Sequence, residues 1–402
     1  MIPCVFLLVS HPDTNPNEPY LQHRLIILVV YSLTHKMNRL EFIVVMIKLF
    51  LGAMQFITFK ALAQTKSIDL EGKTVPFKRS FFVAFILFCS VMLAFIPYIY
   101  FKYKNPKEVS SITRKSLLRI ALSGFCDACA QIFVIFSAGQ IPVSLFMILK
   151  GSRALFSAGL SIVMLRKKLH IYQWVSIGLC LGGLAISSLG SYLSGTTPPK
   201  NLLMGIGFVL LAEAFRSVRI VYDERMMKVY DYDPYMIIAL EGVYGTIISG
   251  AALIAVNFMS GSDMGSVENF ANTIAMIDNS TVLVVLLALF PIWVNAMYLS
   301  GILVTKIISA VYNAVVTVAT VVVVWAYEIL IYYLVNKDYG DEWTRYSFIQ
   351  LVGFGFIVLS TLMYDGTLKF PKYFRYGSSS SIGIAKNNEP AAVEDAKATP
   401  AN

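Results

Sequence analysis

Ten stretches of this sequence, at about 40–63, 80–101, 116–138, 142–165, 171–194, 201–222, 234–258, 281–303, 306–335 and 347–364, are apolar and near the length of a membrane crossing. A bilayer core holds no water to bond a backbone N–H or C=O, so stretches of this kind have to be α-helices. The chain is 57% hydrophobic and 14% charged, where a soluble domain carries about 25% charged residues. It therefore reads as an all-α membrane protein. The net charge of +9 does not indicate a nucleic-acid partner, because the lysines and arginines collect in the loops between the stretches, where they set orientation.

Lys102, Lys104, Lys107, Arg114 and Lys115 follow the second stretch, Arg166, Lys167 and Lys168 the fourth, Arg225 and Lys228 the sixth, and Lys369, Lys372 and Arg375 the tenth. Simple alternation puts all of them on one side, which the positive-inside rule makes cytoplasmic together with both termini. The loop 63–79 dissents, with Lys66, Lys73, Lys78 and Arg79 on the other side. The sequon Asn279-Ser280-Thr281 also falls there, too close to the eighth stretch for glycosylation to be expected. Ten helices divide into two fives, 37–194 and 201–364, and an odd repeat must insert its two copies in opposite orientations. QWVSIG, beginning at Gln173, resembles QLVGFG, beginning at Gln350, at matching places in the two halves. Residues 1–36 hold only short apolar runs and are expected to be dispensable, and the polar tail 365–402 to be disordered and cytoplasmic.

Polar residues inside the stretches bear on function. One cation at the bilayer centre costs about 2.5–3.5 kcal/mol. Lys150 and Arg153, three residues apart in the fourth stretch, share a helix face that has to meet protein or water. Small residues around them (Gly151, Ser152, Ala154, Ser157) let neighbouring helices approach. Both are expected to line a solute path, with Glu213 or Glu241 as the alternative, structural partner. Glu213, Arg216 and Arg219 recur at three-residue intervals in the sixth stretch. Glu213 and Arg216 are solute-binding candidates that can alternatively form an intrahelical pair, and Arg219 can snorkel to the cytoplasmic surface. Lys306, Ser309 and Asn313 share one face of the ninth stretch, with Tyr312 beside them as a further solute-binding candidate. Asp127 and Gln131 make a polar face on the third, and Asp127 and Glu241 are read as coupling groups or structural partners. Cys126-x-x-Cys129 has metal spacing without a second pair or a histidine cluster, so it is read as packing. Gly178-x-x-x-Gly182 is read as a close helix contact. No hydrolase triad, phosphate-cradling loop, metal site or cofactor site is recognised, so the chain is not read as an enzyme.

Four segments carry a family resemblance. They are SLFMILKGSRALFSAGLSIVMLRKKLHIYQWVSIG from Ser144, AEAFRSVRIVYDERMM from Ala212, PYMIIALEG from Pro234, and SGILVTKIISA from Ser300 followed by FIQLVGF from Phe348. In order and spacing they resemble the drug/metabolite transporter superfamily, specifically the nucleotide-sugar-transporter-like solute carrier 35 family, F subgroup. More distantly, the chain is similar to the chloroquine-resistance-type vacuolar transporters. The resemblance implies ten transmembrane helices in two inverted five-helix repeats around a central cavity, working by alternating access. Glu213 stands where similar proteins tend to carry Gln, and the connection 337–343 is longer than theirs. The expected function is secondary transport of an organic metabolite, anionic or zwitterionic because cations outnumber carboxylates in the helices. The expected place is an endomembrane organelle such as the Golgi, lysosome or vacuole. The rivals are a proton-coupled exporter of amino acids, peptides or drugs that uses Glu213 as carrier, and a non-transporting scaffold with the transporter fold. The expected partner is a small-molecule solute, and a homodimer is compatible with this reading.

Overall fold

The computed structural model describes residues 39–107, 109–137, 140–141, 146, 149–167, 169–193, 202–334 and 343–364. The expectations for 1–36, 365–402 and the connection at 337–342 lie outside them. The helices are α1 (Arg39–Gln64), α2 (Ser80–Val91) continued through a 3-10 turn into α3 (Phe95–Lys104), α4 (Arg114–Ser137), α5 (Ser152–Leu165), α6 (Ile171–Leu193), α7 (Leu202–Val229), α8 (Pro234–Phe258), α9 (Phe270–Asp278), α10 (Thr281–Ile307), α11 (Ala310–Leu334) and α12 (Ser347–Tyr364). Among the described residues, eight segments are long and apolar enough to cross a bilayer: α1, the α2–α3 unit, α4, α6, α8, α10, α11 and α12. Two expected crossings fall outside this set, one for its length and one for its charge. α5 is apolar but 14 residues long, and α7 carries Glu213, Arg216, Arg219, Asp223 and Glu224 along its length. They pack on each other, so each shields the other's charges from lipid.

Three readings are corrected by the backbone. The chain turns at Ile308 (φ −112°, ψ −83°), so Lys306 ends α10 and is exposed instead of opening the next helix. Nothing in ILVTKIISAVYNAV contains a Gly or Pro break, which hid the turn. Ser309 instead caps α11, its hydroxyl accepting the Tyr312 N–H at 3.1 Å. Gly178 and Gly182 are exposed on α6, and a Cβ at either would meet nothing within 4 Å. The close approach belongs to Gly183, one residue and about 100° further round the helix. A Cβ there would sit 2.6 Å from the Gly353 carbonyl oxygen of α12.

Helix packing closes a ring. α1 lies on α11, α11 on α5, α5 on α7, α7 on α4, α4 on α8, α8 on α2, α2 on α10, and α10 back on α1, while α6 pairs chiefly with α12. The segment after α1 forms a hairpin of β1 (Lys66–Ile68) and β2 (Thr74–Pro76) that docks on the region between α8 and α10. Ser67 donates to the Met276 carbonyl at 2.6 Å, and the Leu70 N–H donates to Asn272 Oδ1 at 3.0 Å. Arg79 grips Asp263 with two guanidinium nitrogens. Glu268 accepts the Phe81 and Phe82 N–H groups at 2.9 and 3.0 Å, satisfying open donors at the start of α2. Two charges that broke the positive-inside pattern are thus matched, Arg79 by Asp263 and Lys73 by Glu71. The sequon's Asn279 donates its side-chain N–H to the Ile68 carbonyl, and Ser280 caps α10.

Burial alone would raise the Asp263 carboxyl, but Arg79, the Asn269 N–H and Asn272 outweigh it and hold the group below the usual carboxylate range. A depressed folded pKa contributes stability that is present above the unfolded value, near about 4, and lost as pH falls through the folded value. Asp263→Asn should therefore lower the unfolding temperature of the detergent-solubilised protein at pH 7. The gap to the wild type should narrow when the melt is repeated below about pH 4.

Candidate functional site

Inside the ring lies a cavity of about 290 Å3. Phe56, Phe59, Phe290 and Val321 give it apolar surface, and charged side chains converge between them. α1 supplies Lys48, which is 3% exposed. Its ammonium donates to the Asn313 carbonyl and to Thr317 Oγ1, both at 2.9 Å, and to Asn313 Oδ1. Asn313 is fixed in turn by donating to Thr305 Oγ1 at 2.7 Å. Lys150, just before α5, lies 5.7 Å from the centre of the Phe146 ring, within cation–π range. Among the described residues, no carboxylate lies within ion-pairing distance of either lysine.

Arg153 has a different setting. Its Nε and Nη2 reach the two oxygens of Glu213 at 2.5 and 3.0 Å, a bidentate pair between α5 and α7. Glu213 is fully buried, so this is the structural partnership that had been the alternative. The intrahelical contact from Arg216 to Glu213 is longer, at 3.8 Å, and Arg216 donates instead to Gln131 Oε1 at 2.8 Å. Arg219 does not snorkel. Its side chain is 13% exposed, turned inward onto Glu241 at 2.8 Å, Asp127 at 3.4 Å and Asp223 at 3.6 Å, and its guanidinium lies 4.7 Å over the Tyr298 ring. Tyr298 donates to Asp127 at 2.9 Å. The Ser123 hydroxyl sits within hydrogen-bond distance of both Asp223, at 2.5 Å, and Glu241.

Of the residues singled out in the sequence, Lys150, Arg153, Arg216, Arg219, Asp127, Gln131 and Asn313 reach the cavity surface. Glu213 and Glu241 stand behind it as partners of arginines. Three lie elsewhere: Lys306 is exposed at the end of α10, Ser309 caps α11, and Tyr312 is buried against Tyr364 with ring centres 6.1 Å apart. Lys48 and Asp223 were overlooked. Lys48 carried the same signal as Lys150, an ionisable residue in the middle of an apolar stretch. Asp223 lay just past the end of the expected sixth stretch, whereas α7 continues to Val229.

Residues 73–189 match the EamA-like transporter family. The chain is 22% identical over 249 residues to human solute carrier family 35 member F6, a match covering 60% of this chain and 64% of that protein. It thus spans just under two thirds of that relative's length. An uncharacterized protein of Schizosaccharomyces pombe is 22% identical over 268 residues, covering 66% of this chain and 79% of its own. A solved crystal structure superposes with a TM-score of 0.52 at 10% identity, over 81% of this chain and 96% of that one, a likeness of fold alone.

Removing Arg153 would leave fully buried Glu213 with only the longer 3.8 Å contact of Arg216, and breaking a buried pair costs about 3–5 kcal/mol. Arg153→Ala should therefore lower stability by that order in thermal unfolding. Arg153→Lys should recover only part of it, because the two-pronged fork is lost. The double variant Arg153→Gln/Glu213→Gln should be more stable than Arg153→Ala.

Proposed function

We propose that the chain is a member of the drug/metabolite transporter superfamily, in its solute carrier 35-like branch, and that it carries a small anionic or zwitterionic organic metabolite across an intracellular membrane by alternating access. The observation that carries this reading is a cavity at the centre of a helix ring, furnished with two lysines that have no carboxylate within ion-pairing distance among the described residues. The arginines Arg153, Arg216 and Arg219 each face a carboxylate; Lys48 and Lys150 are the cations left to attract a solute.

Ten crossings in two inverted five-helix halves, 37–194 and 201–364, fit this mechanism. Support comes from how the helices pair. α1 packs on α10 and α11 as α7 packs on α4 and α5, and α2 meets α8 as α6 meets α12. The α6–α12 crossing adds a finer sign. Ser176 and Ser360 each donate to the other's carbonyl, at 2.6 and 2.7 Å, while Gly183 and Gly353 touch backbone to backbone. The shift that carries Gln173 onto Gln350 carries Ser176 onto Gly353 and Gly183 onto Ser360, so one contact becomes the other under the repeat. The distribution of lysine and arginine supports cytoplasmic termini.

Proton coupling is the second reading, and one arrangement favours it. Ser123 has a single hydroxyl proton yet faces both Asp223 and Glu241, a place where a further proton can be held. This moves the proposed carrier from Glu213, which is locked to Arg153, to Asp223.

The test is a thermal-shift screen of the purified protein against nucleotides, nucleotide sugars, amino acids and peptides, since only bound ligands stabilise. A solute that shifts the wild type should bind Lys150→Ala about 1.5–3 kcal/mol more weakly, with the variant still folded. Unchanged affinity would reject the assignment. In proteoliposomes, flux driven by a pH gradient without counter-substrate, and lost in Asp223→Asn, would select the proton-coupled form.

A further inference from the structure

Charges around the cavity are sorted rather than mixed. On one side of the ring Lys48 of α1, Lys150 just before α5 and Arg153 of α5 come together around Thr317 of α11. Across the ring, Asp127 of α4, Glu241 of α8 and Asp223 near the end of α7 share one guanidinium, that of Arg219. Glu213 offsets Arg153 on the first side, so that side keeps an excess of positive charge from Lys48 and Lys150. The second keeps an excess of negative charge, because one cation faces three carboxyl groups. Lys48 spends its donors on the neutral groups of Asn313 and Thr317, which leaves its charge uncompensated. Lys150 makes no hydrogen bond among the described residues, so its donors are available.

We propose that the cavity is built for a small zwitterion, its anionic group held by Lys150 in the field of Lys48 and its cationic group facing Asp127 and Asp223. This deepens, and rests on, the transport reading above. A dianionic nucleotide conjugate would present negative charge to the acidic side, and like-charge juxtaposition is an effective means of rejection. The volume, about 290 Å3, lies at the lower end of the range of roughly 300–1,000 Å3 for drug-sized ligands. Trialanine, whose two charged ends can be capped one at a time, is a fitting probe.

The experiment measures binding to the full-length purified protein of trialanine, N-acetyl-trialanine, trialanine amide and UDP-galactose by calorimetry, with uptake of each into proteoliposomes. Trialanine should bind the wild type at least about tenfold more tightly than either capped form, the loss expected when one charge-assisted contact is removed. Lys150→Gln should abolish its advantage over the amide, and Asp127→Asn its advantage over the acetylated form. The comparison of capped forms needs no variant, so misfolding of Asp127→Asn would not blunt it. Equal binding of trialanine and N-acetyl-trialanine would overturn the proposal. So would binding or uptake of UDP-galactose in preference to trialanine, while leaving the transport reading in place. Absence of binding and uptake for all four would overturn the zwitterion assignment, and the transport reading would fall separately only if the wider solute screen were also blank.

Discussion

The bidentate contact of Arg153 with Glu213 is the interaction on which the site depends. It joins α5 to α7, the two helices too short or too charged to pass as ordinary crossings. A fully buried carboxylate needs its counter-charge, and a guanidinium so deep needs its carboxylate; separating them costs several times the stability margin that a typical point substitution consumes. With that pair made, α7 can bring Arg216, Arg219 and Asp223 into the interior, and the cavity acquires its electrostatic character. The pair is thus scaffolding for charge, and the lysines beside it act within the field it leaves.

Much of this was written in the order of the residues. Stretches of about 20 apolar positions compel helices because lipid cannot satisfy a backbone, and that rule located every crossing described above. Lys150, Arg153, Asp127 and Asn313 stood out as polar groups in apolar surroundings, and each reaches the cavity. Partner choice was less accessible. Spacing on one helix suggested Glu213 with Arg216, but a residue on a second helix offers a straighter approach, and only tertiary packing tells which wins. Arg219 shows the same limit: a long side chain near a helix end can reach water or turn inward, and the carboxylates that draw it in come from α4 and α8.

Other misreadings share one cause. Hydrophobicity reports where residues are apolar, and says little about where a helix stops when its charges are paired or its turn is itself apolar. α7 outlasts its apolar run because Glu224 is buried among Lys167, Lys228 and the Ala310 N–H. The turn between α10 and α11 passes without a polar residue at Ile307 and Ile308, so Lys306 was assigned to the wrong helix. For the glycines, a face chosen one position early on α6 exchanged the exposed pair for the buried one.

The Glu268 cap on α2 has a consequence for biosynthesis. The Phe81 N–H and its acceptor are separated by 187 positions. At translation rates of about 5–20 residues per second, the start of α2 waits on the order of 10–40 seconds for the carboxylate that completes it. Throughout that interval the nascent first half has an unfinished helix end and an undocked hairpin. It is then a client for whatever shields incomplete membrane bundles, and its quality control has to tolerate a delay that the chain's own order imposes.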